Sequence, residues 1–124
     1  MDDKWQAQHQ FWSSFGIPAY EENSVPKGAE FPYITYQGVS GGFGATLPVS
    51  ASIWTRTTSW TQADAKADEI ERYIRSMGCP KIEGGRYRVY IGDNTFAQSM
   101  GDPNDDQIKR KLLNVTFEFM VKEY

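Results

Sequence analysis

The residues that build most redox and metal centres are scarce in this sequence. Its 124 residues include one cysteine, Cys79, and one histidine, His9. A single cysteine excludes an internal disulfide, and a free thiol is typical of a reducing compartment. Zinc takes several nitrogen or sulfur ligands, and Cys79 has no such companions nearby in the chain. We interpret Cys79 as a structural or incidental thiol, and His9 as an exposed helical side chain far from any nucleophile.

Long hydrophobic runs and an excess of positive charge are also missing. Polar or charged residues interrupt every apolar stretch, which excludes a transmembrane helix of roughly 20 residues. The polar start at residues 1–10 has neither the basic nor the apolar region of a secretory signal, so we expect cytoplasmic synthesis. The formal net charge of −3 argues against a dedicated nucleic-acid binder, because such proteins need a basic domain or face.

Aromatic residues, in contrast, are abundant. The chain has 4 Trp, 7 Tyr and 7 Phe, and 40% of its residues are hydrophobic. Such rings bring large apolar areas into cores and interfaces, which argues against a disordered chain. The length fits one domain and is too short for two ordinary ones, so we predict a single domain over residues 1–124.

The first predicted helix begins with Asp2 and Asp3, whose negative charge suits a helix N-terminus. Gly16 and Pro18 end it, because proline cannot continue the hydrogen-bond ladder. Residues 19–31 are then expected to be mostly extended or loop. The apolar residues at near-helical spacing are Trp5, Phe11, Trp12 and Phe15.

The clearest helix follows Ser59, a candidate N-cap with Gln62 three residues later as its capping-box partner. Gly78 offers a left-handed C-cap, and Pro80 blocks continuation. The apolar stripe at steps of four and three residues consists of Ala63, Ala67, Ile70, Ile74 and Met77.

Four segments predict strands. Residues 33–37 are aromatic and β-branched, and residues 49–56, 86–91 and 113–122 alternate in polarity, the last occupying a central sheet position. We expect a flexible, glycine-rich hairpin loop at 38–44, and a polar loop from Asp93 and Asn94 to Asp106. The predicted fold is α+β: one small domain in the order helix, strand, strand, helix, strand, strand, with about four mainly antiparallel strands packed against the helices.

No motif for catalysis or cofactor binding is present. The glycine segment lacks the Lys-Ser/Thr pair and the helix that follow a phosphate-binding loop. Residues 102–106 have Asp-x-Asn-x-Asp spacing, but Gln107 and Leu113 occupy the positions where a calcium loop needs glycine and glutamate. We therefore expect no metal and no cofactor. Arg86 and Arg88, like residues 109–111, form a small basic group that either contacts a nucleic-acid backbone or simply solvates the sheet.

The ordered segments resemble a family. They are FPYITY at 31–36, VSASIWTR at 49–56 with the helix near Ser59, and IKRK at 108–111 leading to Phe117, Glu118 and Phe119. In this order they look like the tail terminator, or tail completion, proteins of long-tailed, non-contractile bacteriophages. The resemblance covers most of the chain, and no single motif carries it. It implies a structural virion protein without catalysis: a ring, generally a hexamer, that caps the tail tube, ends its polymerisation and provides the head-docking surface.

The resemblance also implies partners and a location. The partners are other copies of the chain, the tail tube protein and the head-tail connector or stopper protein, with no membrane and no sequence-specific nucleic acid. The location is the head-proximal end of the virion tail, after assembly in the bacterial host cytoplasm. Two alternatives stay open: another neck or connector protein of the same virion, or a small enzyme or nucleic-acid-binding regulator.

Interface residues are predicted from pattern alone. We expect the loops at 38–47 and 102–106 to project toward neighbouring subunits or the tube. Trp54 and Arg56, on the strand face opposite Ile53, are further candidates because Trp and Arg are enriched in interface hot spots. The candidate interface residues are Gly41, Gly42, Phe43, Gly44, Trp54, Arg56, Asp102, Asp105 and Asp106.

Overall fold

The computed structural model describes residues 2–92 and 95–121, over which the chain forms two helices and seven strands. Asp93 and Asn94 of the predicted polar loop, and Lys122 of the predicted last strand, lie outside the described residues. The elements are α1 (Lys4–Ser13), β1 (Ala19–Glu21), β2 (Tyr33–Tyr36), β3 (Thr46–Arg56), α2 (Thr61–Ser76), β4 (Lys81–Ile82), β5 (Gly85–Tyr90), β6 (Ala97–Gly101) and β7 (Ile108–Val121).

The prediction of a four-stranded sheet is wrong. Over the described residues seven strands form one mixed sheet that curls into a half-barrel, with the order β1-β2-β3-β7-β5-β4 and β6 also paired with β7. β1 runs parallel to β2, and the other pairs are antiparallel. The predicted order of helix, strand, strand, helix, strand, strand is therefore also wrong.

The three strands that the sequence pattern missed are short. β1, β4 and β6 have three, two and five residues, which is too little for a period-two alternation to show. β6 also has no aromatic or β-branched residue, the types enriched in strands. It forms where the predicted polar loop was expected, because the chain turns back after Gly101 and pairs β6 with the first half of β7.

β7 is the central strand, as its long alternation predicted. β3 pairs along one side of it over residues 108–118, and β6 and then β5 pair along the other side. The strand starts at Ile108, five residues before the predicted Leu113. The basic residues 109–111 are half-buried, because the apolar stems of long cationic side chains can cover a sheet while their charged ends reach water.

One face of the sheet packs against the helices and forms the core. Phe11 of α1 lies edge-on to the neighbouring Trp12 at 4.8 Å and to Phe117 of β7 at 5.6 Å between ring centroids. Edge-to-face pairs of this kind add to the stabilisation from burial alone. The completely buried apolar side chains are Trp12, Ile34, Ile53, Ala63, Ile70, Leu113, Phe117 and Phe119.

The ends of the helices agree only in part with the sequence pattern. Asp3 caps α1 and forms a reciprocal capping box with Gln6. The predicted Ser59 cap of α2 is wrong: Trp60 holds the N-cap position, and no side chain caps it. The predicted left-handed cap at Gly78 is wrong too, because the chain leaves α2 at Met77 in an extended conformation.

Candidate interaction surface

The predicted interface residues fall into two groups at opposite ends of β7. The first, which we call the hairpin end, comprises Trp54, Arg56 and the turn at 102–106 between β6 and β7. The second, the glycine end, is the segment 38–45, where the backbone N–H of Gly44 donates to the carbonyl of Phe119 at 2.6 Å. The strand between Ile108 and Phe119 measures about 35 Å at ~3.3 Å per residue. The two groups therefore form separate surfaces.

At the hairpin end an ion pair fastens β3 to the turn. Arg56 Nη1 donates to Asp105 Oδ2 at 2.5 Å, and the N–H of Thr57 donates to the carbonyl of Gln107 at 2.8 Å. The other Asp105 oxygen accepts the N–H of Gln107 at 3.0 Å. The pKa of Asp105 lies below its ordinary 3.8, first because of the hydrogen bond from Gln107 and second because of Arg56.

The remaining acidic residues of the hairpin end shape the turn. Asp102 Oδ1 accepts the backbone N–H groups of Asn104 at 2.7 Å and Asp105 at 3.2 Å. Asp106 is exposed, and its carbonyl accepts a hydrogen bond from Lys109 Nζ. Within the described ranges no group of His, Cys, Asp and Glu could hold a metal ion. The carboxylates of Asp102 and Asp105 therefore serve as acceptors for the turn's own N–H groups.

A row of aromatic rings crosses the face of the sheet that no helix covers. Tyr33 of β2 and Trp54 of β3 are cross-strand neighbours, and their rings stack with centroids 6.4 Å apart. Phe31 and Tyr20 extend the row, at 5.2 and 5.9 Å from Tyr33. Burial, and next the neighbouring Tyr20, raise the pKa of Tyr33 above its ordinary 10.0. We call these four side chains the aromatic row.

Arg110 of β7 continues the aromatic row on the far side of Trp54. Its guanidinium carbon lies 5.0 Å from the centroid of the Trp54 ring, and its Nε donates to Ser52 Oγ at 2.9 Å. Among residues 2–92 and 95–121 it has no carboxylate partner. A small cavity of about 130 Å³ adjoins it, with Trp54 and Met100 in its wall. The sequence pattern missed Arg110, because only the strand register places it beside Trp54.

The glycine end is fastened to α1 rather than projecting freely. Gln8 is 1% exposed; its Oε1 accepts the N–H of Val39 and its Nε2 donates to the carbonyl of Val39, both at 2.8 Å. Lys4 Nζ donates to the carbonyl of Gly41 at 2.5 Å and lies 4.4 Å from the centroid of the Phe43 ring. The predicted projecting loop is thus held at two points. Gln8 had no signal in the sequence, where it is one of several glutamines.

The remaining residues of the glycine end differ in what they contact. Gly44 has a φ of +93°, a left-handed conformation that favours glycine. Phe43 is 37% exposed and packs on the β4–β5 turn, where a Cβ on Gly84 would lie 3.2 Å from its ring. A Cβ on Gly42 would meet nothing within 4 Å. Gly42, Phe43 and Gly44 are all exposed and are the parts of this segment open to a partner.

His9 and Cys79 stand apart from both ends. His9 is exposed, with Nδ1 3.2 Å from the hydroxyl of Tyr36 and Nε2 3.3 Å from that of Ser13. Among the described residues no carboxylate orients the imidazole, as the catalytic triads of hydrolases require. Cys79 is also exposed, and its carbonyl accepts a hydrogen bond from Arg86 at 2.9 Å.

The basic groups are engaged within the chain. Arg88 pairs with Glu118 across β5 and β7 and lies 4.6 Å from the centroid of the Tyr90 ring. Lys111 Nζ donates to Asp64 Oδ1 of α2 at 2.5 Å. These contacts favour the interpretation that the charges solvate the sheet and offset neighbouring carboxylates.

Comparison with known proteins does not assign this chain to a family. The sequence matches no protein-family model and no curated protein. In the parts of the chain that the structure covers, residues 2–92 and 95–121, no helix is long and apolar enough to cross a membrane. The two ends of β7 and the aromatic row are therefore the structural features from which a function is proposed.

Proposed function

We propose that this chain is a tail-terminator subunit of a long-tailed bacteriophage. It forms a ring, generally a hexamer, that caps the tail tube, ends tube polymerisation and provides the surface on which the head docks. The activity is structural, with no catalysis and no cofactor. Its partners are further copies of itself, the tube protein and the connector or stopper protein at the head-proximal end of the tail.

The observation that carries the proposal is the pair of surfaces at opposite ends of β7. A ring seated between a tube and a connector must offer a different surface to each of them. The hairpin end is polar and fixed by the Arg56–Asp105 pair, whereas the glycine end presents Phe43 beside Lys4. Both are held by contacts to the body of the domain. Such preorganisation lowers the entropy cost of binding, which favours a role in assembly.

The segments on which the expected resemblance to tail terminators depends include part of the hairpin end and run along the sheet toward the glycine end, which supports the proposal. Residues 31–36 include β2, residues 49–56 lie within β3, and residues 108–111 and 117–119 belong to β7. They form three neighbouring strands of one sheet. The resemblance therefore concerns a contiguous part of the fold, including the segments that carry Phe31, Tyr33 and Trp54 of the aromatic row.

The test is the length of the tails made by the phage that encodes this chain after its gene is deleted. Electron microscopy is expected to show overlong tails detached from filled heads, with normal virions restored by the wild-type gene supplied in trans. Tails of normal length would contradict the proposal and favour another neck or connector protein. Binding to DNA with a steep salt dependence would instead favour a regulator, because phosphate contacts release counterions.

Complementation with variants makes the same test specific to a surface. Arg56→Ala removes the ion pair of the hairpin end, and we expect it to restore normal tails poorly. Arg75→Ala is the matched control, because it removes an exposed i,i+4 pair with Glu71 on α2, away from both ends. Equal complementation by the two variants would exclude Arg56 from the assembly surface.

A further inference from the structure

The outer edge of β6 carries open backbone groups. The N–H of Asn114 donates to the carbonyl of Phe96 at 2.8 Å, which sets the phase of the antiparallel ladder between β6 and β7. Residues that bond to β7 therefore alternate with residues whose N–H and C=O groups point outward. The outward residues are Ala97, Ser99 and Gly101, and over the described residues none of their backbone groups has a partner.

The other two edge strands of the sheet are closed to pairing. Proteins protect edges by keeping them very short or by placing charges and prolines on them. In β1, Ala19 is 5% exposed and the carbonyl of Glu21 already accepts the N–H of Ser24 at 2.9 Å. β4 has two residues, one of them Lys81. β6 has five residues, AQSMG, with neither charge nor proline, so it is the edge suited to accept an added strand.

The open groups of β6 are complementary to those of a second, antiparallel β6. They are evenly spaced about Ser99, so a two-fold axis between the Ser99 residues of two copies places Ala97 of each copy opposite Gly101 of the other. All outward residues then lie at hydrogen-bonded positions on both strands, and about six backbone hydrogen bonds form. No open N–H or C=O of either edge is left without a partner. This symmetry singles out β6 of another copy as the added strand.

The side chains of β6 are compatible with this register. Gln98 and Met100 project on the helix-free face, as the neighbours of Leu112 and Arg110 in β7. Across the axis, Met100 of each copy lies opposite the uncharged Gln98 of the other. The two Met100 residues are diagonal neighbours about 7–8 Å apart, a distance that long side chains span. Methionine is flexible and adapts to such a contact.

The cations nearest the axis do not oppose the contact. Lys111 Nζ donates to Ser99 Oγ at 2.9 Å and is also paired with Asp64, so its charge is balanced within its own copy. Arg110 lies about three strand spacings from Arg110 of the other copy, or about 14 Å at ~4.8 Å per strand. That separation exceeds the Debye length of about 8 Å at physiological ionic strength, so their repulsion is largely screened.

We propose that two copies of this chain pair through β6 edge to edge and form a two-fold dimer with one continuous sheet. The contact is isologous, because both copies use the same residues. A two-fold axis makes the two copies point in opposite directions. Such a contact does not join neighbours in a ring that offers one surface to the tube and another to the connector. The dimer is therefore the form of the chain outside the ring, and it does not depend on the proposed function.

The first test is a proline at the centre of the β6 edge. Ser99→Pro removes the outward N–H on the axis and leaves the ladder to β7 unbroken, the situation in which edge strands tolerate proline. Ser99→Ala is the matched control, because it also loses the bond from Lys111 but keeps the N–H. In sedimentation experiments over a range of concentrations, we expect similar dimerisation of the wild type and Ser99→Ala. Dimerisation of Ser99→Pro should be at least roughly tenfold weaker. Circular dichroism verifies that the variants are folded.

The second test uses cysteines and leaves every backbone N–H in place. Cys79→Ser first removes the exposed native thiol. Opposed residues at a hydrogen-bonded position have Cα atoms about 5.5 Å apart, within the usual disulfide range of about 4.4–6.8 Å. Ser99→Cys in this background should therefore give a covalent dimer on mild oxidation with copper phenanthroline. Gly101→Cys is the control: a Cβ there meets nothing within 4 Å, but the two thiols lie about 13 Å apart along the strands at ~3.3 Å per residue.

The outcomes separate this contact from the proposed function. Equal dimerisation of Ser99→Pro and Ser99→Ala, or equal crosslinking of Ser99→Cys and Gly101→Cys, overturns the edge contact. A wild type that sediments only as a monomer or as rings also overturns it. None of these results changes the expected tail lengths. Conversely, tails of normal length after deletion of the gene contradict the proposed function and leave the edge contact standing.

Discussion

Replacement of Gln8 by alanine tests whether α1 holds the glycine end. Gln8 is 1% exposed, and its amide satisfies both backbone groups of Val39. Alanine leaves this partly buried N–H and C=O without their partners, and an unsatisfied group costs about 1–3 kcal/mol when it is fully buried. We expect a loss of about 3 kcal/mol in the free energy of unfolding. At about 3–4 °C per kcal/mol for a chain of this size, the Tm falls by about 10 °C.

Differential scanning calorimetry provides the measurement, and Gln10→Ala the matched control. Gln10 is an exposed glutamine of the same helix, so its replacement changes helix propensity in the same way without touching the glycine end. We expect its Tm to stay within about 2 °C of the wild type. Hydrogen exchange at the Val39 amide is expected to accelerate in Gln8→Ala alone. Equal Tm values for the two variants, with Val39 still protected in both, would refute the role of Gln8.

Three further predictions concern packing and pH. Gly85→Ala is expected to destabilise the fold by more than about 3 kcal/mol in denaturant titrations, because its Cβ would lie 1.9 Å from a β7 carbonyl; Gly92→Ala, with nothing within 4 Å, is the control. Burial raises the pKa of Tyr87 from 10.0 to about 12, so its contribution to stability is complete below pH 10 and lost as the pH rises toward 12. Alkaline unfolding followed by ultraviolet absorbance should therefore be shallower in Tyr87→Phe, and an unchanged profile would count against this. The lowered pKa of Asp105 stabilises the fold above its ordinary 3.8, and this contribution is lost as the pH falls through the folded value. In thermal melts, the decrease in Tm as the pH falls below 4 should be smaller for Asp105→Asn than for the exposed control Asp106→Asn.

The parts of the fold that could be predicted from the sequence are those with a long periodic signal. The stripe from Ala63 to Ile74 marks α2, and the alternation around Phe117 marks the central strand. The three strands that the sequence did not predict, β1, β4 and β6, depend on pairing partners elsewhere in the chain. β6 exists because the central strand begins at Ile108 and needs a neighbour there, which residues 97–101 cannot reveal alone. The prediction of the α2 N-cap was wrong because the local fold decides which residue takes that position. Ser59 Oγ accepts the N–H of Thr61, and Trp60 holds the N-cap position.

For the candidate site, the sequence predicts on which face of a strand a residue lies, but not which residues of other strands lie beside it. Alternation correctly placed Trp54 on the face opposite Ile53, because side chains alternate between the two faces of a strand. Which cation would stack on Trp54 depends on register. The pairing of β3 with β7 puts Arg110 beside it, while Arg56 turns to Asp105 at the edge of the hairpin.

Because Arg56 and Arg110 have different partners, their replacement is expected to affect assembly in different ways. Arg56 is already paired within the chain, so its loss acts through the shape of the turn and should be partly rescued by Arg56→Lys, which keeps the charge near Asp105. Arg110 has no carboxylate partner among the described residues and lies against Trp54 of the aromatic row, so its reversal to glutamate should weaken assembly directly, without changing the turn. Sedimentation of the Arg110→Glu protein measures the effect, and circular dichroism verifies that the variant is folded. Assembly equal to that of the wild type would exclude the surface around Trp54 and Arg110 from the subunit contacts.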